Sequence, residues 1–246
     1  MTLGSGYDTT IVTGNLLVSN GSINAGGGTD RLVVDYSSAS FGYLGYHGLG
    51  VTNVYADSFE AYRPVSAGWG REILLNYSNI ETFEITGTAY ADYLRGYSGN
   101  DKLIGGEGND DMAGGDGNDL IRGGDGNDTL KGEGGNDEIE GGDGNDSIDG
   151  GTGRHVIRGG TGNDTVVSAK AGDSIDGGEG TDTLQSLDLS SLDVDLVLDL
   201  RATELVSGDN NTRINNFENI SSVTLGSGYD TTIVTGNLLV SNGSIN

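Results

Sequence analysis

The sequence contains no cysteine, which excludes disulfides and thiolate metal sites alike. It has a single proline against 46 glycines, a balance that does not describe an ordinary globular core. The two histidines, His47 and His155, lie far apart in sequence. Neither the HExxH of zinc proteases nor the GxSxG of serine hydrolases occurs, so no catalytic residue is assigned and no enzyme is expected. Basic residues are scarce: 12 Lys and Arg face 37 Asp and Glu, for a net charge of -25. Such acidity makes nucleic acid or an anionic membrane a poor partner unless cations bridge the two. No apolar run approaches membrane-spanning length, and Met1-Thr2-Leu3-Gly4 does not read as a signal peptide.

What the sequence does have is one nine-residue phrase, Gly-Gly-x-Gly-Asn-Asp-x-apolar-x, repeated in phase from Gly87 to Gln185. Copies begin at Gly87, Gly96, Gly105, Gly114, Gly123, Gly132, Gly141, Gly150, Gly159, Ser168 and Gly177. The eighth position is apolar in every copy, from Leu94 and Leu103 through Ile175 and Leu184. The sixth is aspartate in every copy except one, where His155 stands. Glycines at positions 1, 2 and 4 predict a tight turn that visits left-handed conformations and leaves carbonyl oxygens facing inward. Three residues of strand are expected to follow, with the eighth inside and the seventh and ninth in water. Two turn-strand units make one coil, and coils stack as a solenoid.

Stacking places one aspartate above another. At a strand spacing of about 4.8 Å and an effective dielectric of about 20, two carboxylates repel by roughly 3.5 kcal/mol. A cation has to lie between them, and the repeat gives Lys and Arg no regular place. A hard cation that takes six to eight oxygen ligands, carboxylates and carbonyls together, fits what the turns offer, and calcium is the simplest such ion. One apolar side chain per nine residues is little to set against the entropy of ordering them. Without metal, glycine and charge therefore favour an unfolded chain.

These residues resemble the hemolysin-type calcium-binding, or RTX, family, whose nonapeptide is a calcium-binding β-helix repeat. The resemblance implies an all-β fold, a right-handed parallel β-roll with calcium held between turns on the same side. Each ion is held by the aspartates of both turns, by carbonyls 1 and 3 of one and by carbonyls 2 and 4 of the other. Carried onto this sequence, the implied ligands include Asp92, Asp101, Asp110, Asp119, Asp128, Asp137, Asp146, Asp164, Asp173 and Asp182. The carbonyls are those of Gly106, Gly108, Gly115, Gly117, Gly124, Gly126, Gly142, Gly144, Gly160, Gly162, Gly178 and Gly180. Asp230, in a glycine turn of the C-terminal flank, joins the candidates. About six firm ions are expected. The column of turns beginning at 87, 105, 123, 141, 159 and 177 should be nearly full; the column at 96, 114, 132, 150 and 168 weakens where Arg154 and His155 replace Asn and Asp. The resemblance also implies an extracellular protein exported by type I secretion, folding where calcium is plentiful, although no C-terminal export signal is visible.

Outside the repeats, residues 2–24 recur letter for letter as residues 224–246. The offset is 222 residues, 224 minus 2. The copy reads either as a cut through a tandem array or as an engineered duplication capping one module. The chain divides into a β-rich flank at 1–86, the repeats at 87–185 and a second flank at 186–246. Residues 25–86 look like the same architecture with longer coils, since AGGGTDRLVVDYSS resembles GGEGTDTLQSLDLSS at 177–191. NIETFEITGTAYAD at 79–92 likewise parallels NFENISSVTLGSGYD at 216–230. Phe41, Tyr43, Tyr46, Tyr55, Phe59, Tyr62, Trp69 and Tyr77 form an aromatic cluster, either a local core covering the roll or a platform for sugar rings. His47 among them reads as a surface residue. In LDVDLVLDLRATEL the residues Val194, Leu196, Leu198 and Leu200 share one face of a half-buried strand and Asp193, Asp195 and Asp199 the other, with the acids protecting a sheet edge.

The expectation is a calcium-dependent structural module of a secreted tandem-repeat surface or biofilm-matrix protein, whose partners are neighbouring copies of itself and a cell-surface or matrix polysaccharide. The competing readings are a calcium-dependent carbohydrate-binding module and an accessory domain of a polysaccharide-modifying β-helix enzyme.

Overall fold

An apolar residue every ninth position makes a continuous core only if successive phrases lie on opposite walls and each wall recurs every eighteen residues. The computed structural model is wound in that way. It describes residues 5–13, 21–35, 37, 53–55, 58–65, 68–78, 80–191, 197–199, 204–206, 212–224 and 231–233, and among these there is no helix. Two parallel sheets form the walls of a β-solenoid. One, of seven strands, aligns Leu94, Met112, Leu130, Ile148, Val166, Leu184 and Ile220. The other, of ten, aligns Val34, Ile85, Leu103, Ile121, Ile139, Ile157, Ile175 and Ile214. All are buried. Both rows face one dry interior, so every eighth-position side chain is in the core as its spacing predicts.

The strands are longer than the three residues expected. Leu120–Asp125 is typical: it carries positions 7, 8 and 9 and then the first three residues of the next turn. Its register with Glu138–Asp143 pairs Leu120, Ile121 and Arg122, passes over Gly123, and resumes at Gly124. The chain bends at the unpaired glycine, yet the residues after it, with no side chain or an outward one, still reach the neighbouring coil for backbone hydrogen bonds.

The flanks extend the same walls. Thr9–Thr13, Arg31–Asp35 and Thr82–Thr86 stack in order on the ten-stranded sheet, which runs unbroken past residue 86. Between Asp35 and Thr82 the described strands Asn53–Tyr55, Ser58–Val65 and Gly68–Ser78 form an antiparallel meander whose last strand pairs in parallel with Gly21–Asn24. Of the aromatic cluster, Phe41, Tyr43, Tyr46 and His47 lie outside the described residues. Tyr55, Phe59, Tyr62, Trp69 and Tyr77 lie on these strands.

Towards the other end the coil gains a third wall. Ala169–Lys170, Leu187–Asp188 and Val223–Thr224 make a three-stranded parallel sheet, and Ala169, Leu187 and Leu189 enter the core. In the segment expected to be one long strand, Val197–Asp199 is a strand while 192–196 and 200–203 lie outside the described residues. Glu204–Val206 adds antiparallel to Arg213–Asn215 and is the last described strand of the ten-stranded sheet. Among the described residues, several basic side chains pair with acids along the strands, as in Arg95 with Asp111 at 2.7 Å and Arg122 with Glu140 at 3.2 Å.

Candidate metal centres in the turns

The sixth-position aspartates form two rows, one at each edge of the solenoid. In the first row Asp92, Asp110, Asp128, Asp146 and Asp164 each donate a backbone N–H to Oδ1 of the aspartate one coil later, at 2.7–2.8 Å, ending on Asp182. Asp182 in turn donates to Glu218 at 2.7 Å. The second row runs from the N–H of Phe83 to Asp101, Asp119, Asp137, His155 and Asp173. The sequence's one exception therefore lies inside a row: Nδ1 of His155 is 3.4 Å from the N–H of Asp137 and 3.4 Å from its Oδ2.

Every one of these aspartates is buried. In all but Asp92 and Asp173 one carboxylate oxygen accepts a backbone N–H of the preceding coil, and the other has no hydrogen bond. Oδ2 of Asp101, Asp110, Asp119, Asp128, Asp137, Asp146, Asp164 and Asp182 is buried without a hydrogen bond, as is Oδ1 of Asp92, whose Oδ2 binds Thr88. Buried acceptors of this kind cost free energy unless something fills them. Burial pushes the carboxyls up: Asp92 and Asp146 to about 7, Asp101 and Asp110 to about 8 and Asp119 to about 6. Asp128, Asp164, Asp173 and Asp182 are raised for the same reason. For Asp110 and Asp146, repulsion from the row neighbours on both sides adds to the rise.

The glycines complete the cradle. A Cβ on Gly105 would overlap Asp110 Oδ2 and meet the carbonyl oxygen of Gly123 from the following coil. One on Gly124 would overlap the carbonyl of Gly106, and one on Gly126 that of Gly108. Carbonyls at positions 2 and 4 of one turn, the carbonyl at position 1 of the next and a lone carboxylate oxygen thus border one gap between coils. No three His, Asp or Glu side chains converge among the described residues, so the carbonyls have to supply the remaining oxygens. An all-oxygen, carbonyl-rich donor set around a carboxylate suits calcium rather than zinc.

Five gaps in the first row, from Asp92/Asp110 to Asp164/Asp182, and two in the second, Asp101/Asp119 and Asp119/Asp137, have an aspartate at both ends. Past Asp137 the second row changes character. His155 Nε2 is buried without a partner. At the next gap Lys170 donates its ammonium to the carbonyl of Gly151, and its N–H binds Asp173 Oδ2 at 2.8 Å. Asp173 thus differs from its fellow candidates in having both oxygens satisfied by protein. Asp230 lies outside the described residues.

Sequence reasoning passed over four acids that belong to this system. Glu218 extends the first row. Asp8 donates its N–H to Asp30 Oδ1 at 2.9 Å, and Asp30 donates to Glu81 at 2.8 Å. Oδ2 of Asp30 and of Asp8 is buried and unpartnered. The signal was present: Asp30, Glu81 and Glu218 each stand two residues before a buried apolar residue, Leu32, Phe83 or Ile220, as position 6 stands before position 8.

A parallel solenoid whose turns stack buried carboxylates beside backbone carbonyls has the donor groups to hold divalent cations between coils. The family is specific: a model of the RTX calcium-binding nonapeptide repeat matches residues 86–121, 122–154 and 156–184, about two fifths of the chain, and this stretch is an array of RTX repeats forming a β-roll. No curated protein matches the chain.

Proposed function

We propose that the chain is a calcium-folded structural module of a secreted tandem-repeat protein of the cell surface or biofilm matrix. The observation that carries this reading is the double row of buried aspartates, most of which accept a backbone N–H of the preceding coil through one oxygen and leave the other without a hydrogen bond beside the glycine-turn carbonyls. Calcium would be held by the paired aspartates and the carbonyls of the glycine turns, and would supply the positive charge that the rows lack. The core is a single file of apolar side chains on each wall, so neutralising the rows is what allows coils to close on one another. A chain that is flexible where calcium is scarce and stiff where it is abundant suits passage through a secretion channel followed by assembly outside. RTX repeat proteins are typically secreted and their repeat solenoids typically non-catalytic.

The test is a calcium titration of chelator-treated protein followed by circular dichroism, with magnesium as the control. A cooperative rise of β signal with calcium alone is expected. A chain already fully folded in chelator would overturn the reading.

A further inference from the structure

The duplicated segment contains a strand, and its two copies pair differently. The N-terminal copy, Thr9–Thr13, pairs in parallel with a strand later in the chain, placing Thr9, Thr10 and Ile11 opposite Arg31, Leu32 and Val33. The C-terminal copy, Thr231–Ile233, pairs in parallel with a strand earlier in the chain, placing Thr231, Thr232 and Ile233 opposite Val197, Leu198 and Asp199. An interior strand of this solenoid has both kinds of neighbour at once: Leu120–Asp125 lies between Lys102–Glu107 before it and Glu138–Asp143 after it. Each copy of the duplicated strand therefore displays one half of an interior strand's pairing.

We propose that the segment shared by residues 2–24 and 224–246 is a joint. In it a single strand lies between Val197–Asp199 of one 222-residue unit and Arg31–Asp35 of the next, so that successive units run on as one solenoid without a linker. The inference deepens the proposed structural role and rests on it. The register supports it. Superposing the copies aligns Leu198, Thr10 and Leu32 across three strands, and Leu32 is fully buried in the core. Leu198 belongs to the alternating apolar set of its sequence segment, Val194, Leu196, Leu198 and Leu200, so the register sets an apolar position of one unit in line with Leu32 of the next; a slip of one residue would break that alignment.

The outer edge of the N-terminal strand is open to pairing. The strand ends the ten-stranded sheet with one edge unpartnered among the described residues. Ile11 is 66% exposed and the adjoining Tyr7 88%, and Thr10 Oγ1 is buried without a hydrogen bond. An exposed apolar edge strand is a template for another strand, and here the partner of matching register is encoded in the same unit.

The test compares this chain with a fused chain in which residues 25–246 are appended after Asn246, so that the joint occurs once between two units. In calcium, small-angle scattering should show a straight particle with a maximum dimension close to twice that of the single chain. Thr232→Pro at the joint, which removes a ladder N–H, should turn it into a hinged pair with little change in circular dichroism per residue. A fused chain that is already hinged, or a Thr232→Pro fused chain that stays straight, overturns the joint. A second variant needs no fusion: the chain lacking residues 2–24 exposes the Arg31–Asp35 edge and keeps the C-terminal copy. It should assemble head to tail in calcium, seen as a sedimentation coefficient that rises with concentration, and Thr232→Pro should abolish the rise. A folded, strictly monomeric deletion chain would overturn the proposal as well. Absence of any calcium-dependent β signal would instead count against the calcium reading, which the dichroism reports separately.

Discussion

Asp128 accepts the backbone N–H of Asp110 through Oδ1 at 2.8 Å while its Oδ2 lies buried with no partner. One oxygen therefore serves the fold and the other is free for a cation, and the two roles can be separated by mutation. Asp128→Asn keeps an acceptor for Asp110 but removes the charge from two adjacent gaps. It should shift the calcium midpoint of folding upward, with a stability loss on the order of 3 kcal/mol. Asp128→Ala should cost about 1–3 kcal/mol more, because the Asp110 N–H is then left unmet as well. Calcium titrations of both variants by circular dichroism check the order.

His155 stands where a carboxylate would complete the second row. His155→Asp should restore a gap bordered by aspartate on both sides, with Asp137, and raise the number of calcium ions bound. Equilibrium dialysis against calcium reads the change. An unchanged stoichiometry would mean that the neighbouring Lys170 contact with Gly151, and not His155, decides that end of the row.

The metal-free protein should respond to acid in the opposite sense to most proteins. Burial raises the row carboxyls to about 6–8 in the folded state, above the ordinary aspartate value near 4. The folded chain therefore binds more protons than the unfolded one across that window. Their contribution to stability is fully present below about pH 4 and is lost as pH rises through about 6 to 8. In chelator, β signal should grow as pH is lowered from 8 to 4. Calcium competes with the same protons, so calcium affinity should weaken over the same range. A chelated protein whose dichroism is flat over this range would contradict both statements.

Glu133 replaces the usual second-position glycine and is held at a φ of 73°, a left-handed conformation that costs a side-chain-bearing residue about 1–2 kcal/mol. Glu133→Gly should therefore raise the melting temperature of the calcium-loaded protein. Gly105→Ala should lower it by a larger amount, since the new methyl would overlap Asp110 Oδ2. Thermal melts in saturating calcium compare the two directly.

The glycine pattern, the apolar eighth position and the aspartate sixth position each state a local requirement, so the coil, its core and the acidic rows are legible in the sequence from Gly87 to Gln185. Every nine residues repeat the same environment, and periodicity then substitutes for tertiary information. Where the period lengthens, that substitution stops. Leu184 meets Ile220 after 36 residues and Val34 meets Ile85 after 51, and no spacing rule predicts which strand returns to which wall. Glu218, Asp30 and Glu81 belong to the rows because backbone N–H groups from distant coils reach their oxygens. Only the fold revealed that eight of the sixth-position aspartates have an Oδ2 without a hydrogen bond, because partnership depends on the coil above and below. The duplication at 2–24 and 224–246 was plain as text. Its meaning as a joint emerged only from strand pairing, since hydrogen bonds between coils are long-range and identical letters take different neighbours at the two ends.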